Sequence, residues 1–232
     1  MKNVAISLVP IALLLFSSCA SVSVKGEHRE SSKPVQKPAK IYVSAFDTTK
    51  GVYKIAGQEA KDPEPFKKKT AETLANYVTK SVNEHVAPAE RTVDAHRLPR
   101  QGWLVTGEFL RVNTGNRELR ALVGLGAGGS KMETRVSVID LAGNGKPFLT
   151  FETTGGSNAM PGLLESSGPG SAAMSMATQS MMGVTDDAAR TSRMIAGELN
   201  TYLMERGWIA KDKKYSVKKL GEYQLIHEQY FH

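Results

Sequence analysis

Alternation and helical spacing divide the chain into a small set of elements. Lys40 to Phe46 places Ile41, Val43 and Ala45 on one face and Tyr42, Ser44 and Phe46 on the other. Apolar side chains on both faces mark a covered central strand. Asp62 and Pro63 introduce a helix predicted over 64–86, where Phe66, Thr70, Leu74, Tyr77, Val78, Ser81, Val82 and His85 recur at helical spacing. His85 then sits at the helix end, against the core boundary, rather than in a metal site. A short strand is predicted near 91–95, and a main strand over 103–112, with Trp103, Val105, Gly107 and Phe109 on one face. Residues 132–141 alternate again, and the turn Gly143-Asn144-Gly145 joins them to a strand over 148–153 as a hairpin.

A short helix is predicted over 118–125 and another over 172–182. Thr185 with Asp186 and Asp187 reads as the start of a further helix, an N-cap and two acids at the positive end of its dipole. Ile195, Leu199, Tyr202 and Leu203 give that helix its buried face, and Gly207 caps it. The pattern predicts one α+β domain over 40–210: a mixed sheet of about four to five strands with two long helices packed on it.

The N-terminal pattern differs. Lys2 is followed by the apolar run Val4 to Phe16, interrupted by Pro10 and shorter than the roughly 20 residues that span a bilayer. Ser17 and Ser18 then precede Cys19, the single cysteine of the chain. The n-, h- and cleavage-region pattern predicts an export signal over 1–18. The placement of Cys19 resembles a bacterial lipobox, which implies acylation of that thiol as the first residue of the mature chain. Ala20 in the next position implies, by the same resemblance, sorting to the outer membrane facing the periplasm. With the Cys19 thiol consumed by acylation, the mature chain has no free thiol, so its fold relies on packing rather than disulfides. Residues 19–39 are rich in Ser, Lys and Pro, and are expected to form a lipidated cysteine and a flexible tether with a reach of roughly 25 Å. Residues 211–232 form a basic C-terminal extension.

The formal net charge of +7 in 232 residues is spread over the tether, a helix start and the C-terminal tail. With an envelope address, this charge favours anionic headgroups, glycan or acidic partners over nucleic acid. The expected partners are the membrane, through acylated Cys19, and an envelope protein or cell-wall polymer.

The densest constellation is Asn116, Arg117 and Arg120 followed by Gly124, Gly126, Gly128 and Ser130. Gly124, Gly126 and Gly129 have dinucleotide-fingerprint spacing, but they feed an alternating strand where such a fingerprint opens a helix. Ser130 precedes Lys131, the reverse of the phosphate-loop order. A structural reading has the glycines permitting close backbone turns while Arg117 and Arg120 bond loop carbonyls. A functional reading has the two arginines forming a fork for carboxylate or phosphate beside glycine N–H groups. This block, continued into Thr153-Thr-Gly-Gly-Ser157, resembles a family of bacterial lipoproteins classed only as a domain of unknown function. The resemblance runs from about Ile41 to Met204; it implies an anchored or exported envelope domain and brings no catalytic residues with it.

Enzyme templates are absent from the sequence. There is no Gly-x-Ser-x-Gly elbow and no His-Glu-x-x-His. His28, His85, His96, His227 and His232 lack the spacing that places two ligands on one face, so no metal and no cofactor are expected. Glu108, Asp140 and Glu152 fall on predicted strands, where ion pairs with Arg111 or Arg135 are the expected use. The methionines from Met174 to Met182 are read as core filling rather than as an adaptable binding surface. The chain is expected to be a non-catalytic, lipid-anchored binding or scaffolding domain. The competing class is an anion or small-molecule module, including an enzymatic one, centred on 115–131.

Overall fold

The computed structural model describes residues 22–29, 35–56, 63–93, 97–115, 129–157, 176–210 and 212. Its strands are β1 (Val22–Arg29), β2 (Ile41–Val43), β3 (Val52–Lys54), β4 (Ala89–Arg91), β5 (Trp103–Asn113), β6 (Ser130–Asp140) and β7 (Pro147–Ser157). Its helices are α1 (Glu64–His85) and α2 (Met176–Glu205). The class is α+β with two helices and a mixed open sheet, as predicted, but the sheet has seven strands rather than four to five.

The sheet order is β1-β7-β6-β5-β2-β4, with β3 also paired to β5. Neighbours from β1 to β5 are antiparallel, whereas β2, β3 and β4 join in parallel. β2 and β3 form one interrupted edge along β5. Ile41 lies beside Trp103 and Val52 beside Arg111, and the Asp47–Glu108 bridge falls between them. The gap is stitched by Asp47 N–H donating to the Gly107 carbonyl at 2.8 Å and Phe109 N–H donating to the Asp47 carbonyl at 2.9 Å.

Both helices lie on one face. The alternation of β6 turns Ser130, Met132, Thr134, Val136 and Val138 into the core, where Phe109 and Val112 of β5 and Leu149 and Phe151 of β7 join them. Thr70, Leu74, Ala75, Val78, Ser81 and Val82 form the buried stripe of α1, and Ile195, Leu199, Tyr202 and Leu203 that of α2. The Ser81 and Ser192 hydroxyls bond at 3.0 Å, and the Asn200 amide donates to the His85 carbonyl at 3.1 Å. These two contacts, in the same order along both helices, make α1 and α2 parallel. The other sheet face carries no helix among the described residues.

Three expectations are corrected. The tether over 19–39 is not a coil throughout: Val22–Arg29 pairs with β7 as an edge strand, Val35 is buried, and the Gln36 carbonyl accepts the Trp103 indole N–H at 3.1 Å. From Met176 onward, the helix predicted over 172–182 and the one predicted from Thr185 are a single helix, and 172–175 lie outside the described residues. Asp187 is therefore mid-helix, 3% exposed and 3.5 Å from Arg190, not at a helix start. The strand predicted near 91–95 is placed at Ala89–Arg91.

Candidate functional site

The sheet has two unlike ends. At one end, the aromatic end, Trp103 stacks 4.8 Å from Phe148, 5.8 Å from Tyr202 and 6.1 Å from Trp208. Arg29 and Arg206 lie 5.5 and 5.0 Å from the Tyr202 ring centroid. This is a closed packing corner, to which Lys37 adds a hydrogen bond to the Trp208 carbonyl at 3.1 Å.

The other end, the loop end, is where β3, β5 and β7 finish and where β6 and both helices begin. The described residues that flank 57–62, 116–128 and 158–175 all lie there. One row of paired residues marks it: Val22, Gly155, Met132, Val112 and Tyr53, from β1 across to β3. Lys67 of α1 stands 5.3 Å from the Tyr53 ring centroid, and Gly183 of α2 lies against Ser130. The helix N-termini direct the positive ends of their dipoles toward this end.

The mouth of the glycine and arginine block is well built. Thr114 N–H donates to the Lys54 carbonyl at 3.0 Å, and Ala56 N–H donates to the Thr114 hydroxyl at 2.9 Å. Gly115 N–H donates to the Asn113 side-chain oxygen at 2.9 Å, and its φ of 80° turns the chain off β5. A side chain at that φ would be strained. Ser130, 2% exposed, opens β6 on the return. Of the predicted site residues, Ser130 is therefore a buried residue at the base of the block. Asn116, Arg117, Arg120, Gly124, Gly126, Gly128 and Cys19 lie outside the described residues, as does the short helix expected over 118–125.

The predicted carboxylates resolve into ion pairs on the helix-free face. Glu108, Arg135 and Glu152 occupy one row across β5, β6 and β7. Arg135 reaches Glu108 at 2.6 Å and Glu152 at 2.7 Å. Asp140 lies far along the sheet from them and accepts the Ala142 N–H at 3.0 Å in the hairpin turn. Glu133 lies 2.6 Å from Lys131 and 3.6 Å from Arg111. Burial would raise the Glu133 carboxyl, but the hydrogen bond and charge of Lys131, with Arg111 beyond, hold it below the ordinary carboxylate range.

A feature that sequence reading missed is the carboxylate cluster joining β1 to α2. Arg29 of β1 pairs with Glu27 and Glu205 and stands 3.8 Å from Glu198. Burial, reinforced by Glu27, pushes the Glu198 carboxyl up to about 7, against the opposing charge of Arg29. Its only sequence signal is the polar string of β1, which reads as tether. An open cavity of about 310 Å³ lies beside the C-terminus of α1, between Asn83 to Pro88, Asn200 and Ile209. Its Asn200 amide is already committed to the His85 carbonyl. Among the described residues, no three His, Cys, Asp or Glu side chains are grouped to hold a metal ion, and no helix is long and apolar enough to cross a membrane.

A mixed sheet backed on one face by two helices, with an ion-paired polar face opposite, defines a two-layer α+β domain. Residues 41–174 match DUF4410, a domain of unknown function, and the chain belongs to that family. No curated protein matches the chain. Among solved structures it is similar to the PelC dodecamer of Paraburkholderia phytofirmans, at 11% identity and TM-score 0.34 over 73% of this chain and 96% of that chain. It is also similar to a structure described as a neuraminyllactose-binding hemagglutinin homolog from Helicobacter pylori, at 10% identity and TM-score 0.42 over 77% of this chain and 93% of that chain. Both likenesses are distant.

Proposed function

We propose that this chain is a lipid-anchored envelope domain that binds a protein or an envelope polymer without catalysing a reaction. The observation that carries the proposal is Cys19, placed directly behind an export-type apolar run and two small residues, with a folded strand beginning at Val22. The helix-free face supports it. That face presents an ordered grid of Glu108, Arg135, Glu152, Glu133 and Arg111, a surface suited to polar recognition rather than to proton transfer, because the carboxylates are already engaged by cations. An outer-membrane location facing the periplasm follows from Ala20 by resemblance.

The mass of the mature N-terminal peptide tests the anchor. An acylated Cys19 is expected, with Cys19→Ser releasing the domain from membranes; an unmodified thiol in a membrane-free protein would sink the reading. In-cell crosslinking of the acylated protein tests the binding role. One discrete protein or glycan partner is expected, and it should be lost on Arg135→Glu with the fold intact.

A second reading is favoured by the loop end alone. The described ends of the 115–131 block, Gly115 and Ser130, lie where both helices start, so an anion bound beside them would meet favourable dipoles. Saturable binding of a small anion, abolished in the Arg117→Ala, Arg120→Ala variant, would shift the assignment to this module.

A further inference from the structure

We infer that the loop end of the sheet is the end this domain turns toward the lipid surface. This rests on the reading of Cys19 as an acylated first residue, and it adds an orientation that the anchor alone does not give.

The register of β1 carries the argument. β1 runs antiparallel to β7, and its first residue, Val22, pairs with Gly155 in the row that crosses the loop end. Its last residue, Arg29, pairs with Leu149 and reaches Glu205 near the aromatic end. The chain therefore enters the sheet at the loop end. Only Ala20 and Ser21 separate Cys19 from Val22. Those three residue steps reach at most about 11 Å when fully extended. The eleven residues of β5 rise about 33 Å between the two ends. A leash that short cannot carry the aromatic end past the loop end to the membrane.

The surface chemistry of the loop end fits an anionic leaflet. Lys54 closes β3 there, and Lys68 and Lys69 sit in the first turns of α1, all three exposed. Lys131, the second residue of β6, lies in the same region, paired with Glu133. Basic side chains held within a Debye length of acidic headgroups are attracted to them. The hairpin turn at Gly143 to Lys146, which joins β6 to β7 at the aromatic end, would then face away from the lipid.

The test uses the full acylated protein in vesicles of phosphatidylethanolamine and phosphatidylglycerol that carry nitroxide-labelled acyl chains. A fluorophore is placed on Lys54→Cys, Lys69→Cys or Lys146→Cys; acylation of Cys19 leaves the introduced thiol as the unique target. Quenching at positions 54 and 69 is expected to exceed that at 146 by twofold or more. Any smaller excess, or the reverse order, overturns the orientation. A native-like far-ultraviolet dichroism spectrum and melting midpoint in each variant confirm that the comparison is made on folded protein. The mass of the N-terminal peptide keeps the two readings apart. Unmodified Cys19 removes the anchor itself, whereas acylated Cys19 with even quenching removes the orientation alone.

Discussion

Glu198 and Gly107 show how much single positions carry. Glu198 is partly buried on α2, with its carboxyl pushed up to about 7, whereas an unfolded glutamate releases its proton near 4.5. The folded state therefore binds the extra proton in this window, and its stability falls as pH rises from about 4.5 to 7. Glu198→Gln is expected to remove that loss and to stabilise the domain at pH 8 by up to about 3 kcal/mol, read from urea melts at pH 5 and 8. Gly107 is a matter of space. A Cβ there would meet the Arg135 carbonyl oxygen and stand 2.7 Å from the Phe46 ring. Gly107→Ala should cost about 2 kcal/mol or more by overpacking, measured by the same melts. At this scale the sequence was only partly legible. The ion pairing of Glu108 and Glu152 with Arg135 follows from strand alternation and opposite charge. The burial of Asp187 does not, because a Thr-Asp-Asp string reads equally well as a helix start.

Among the elements, α1 and the strands β5 to β7 were readable because each buries one side and shows the matching period, helical for α1 and twofold for the strands. β1 was hidden by its composition, Val-Ser-Val-Lys-Gly-Glu-His-Arg, since an edge strand is held largely by main-chain bonds and leaves most side chains exposed. α2 was split because Gly183 and Thr185 look like a boundary. A mid-helix glycine costs only about 1 kcal/mol, which the packing of so long a helix overrides. Two element-scale outcomes follow. Thr134 and Thr153 share a buried hydroxyl bond of 2.7 Å between β6 and β7. Thr134→Val alone should cost about 1–3 kcal/mol, and the Thr134→Val, Thr153→Val pair should recover most of it, because no hydroxyl is then left unbonded. Arg29→Ala should loosen β1 from α2. Hydrogen exchange of the β1 amides should accelerate roughly fivefold, equivalent to about 1 kcal/mol, while β6 amides stay protected.

For the whole molecule, the layered α+β plan was legible, while the strand count was not, because β1, β3 and the interrupted edge of β5 are short or polar. β1 also protects an edge. Deleting 22–29 leaves the long strand β7 unpaired on one side, and concentration-dependent self-association is expected by light scattering. The aromatic end has a practical consequence of its own. Both tryptophans of the chain belong to that corner, 6.1 Å apart, with Trp103 almost wholly enclosed. The intrinsic emission of this protein is thus a gauge mounted at one extremity. It registers the release of 35–37 and the tail of α2, and it is blind to an opening that begins where the helices start. A melting curve recorded by fluorescence and one recorded by far-ultraviolet dichroism will coincide only if the two extremities come apart together.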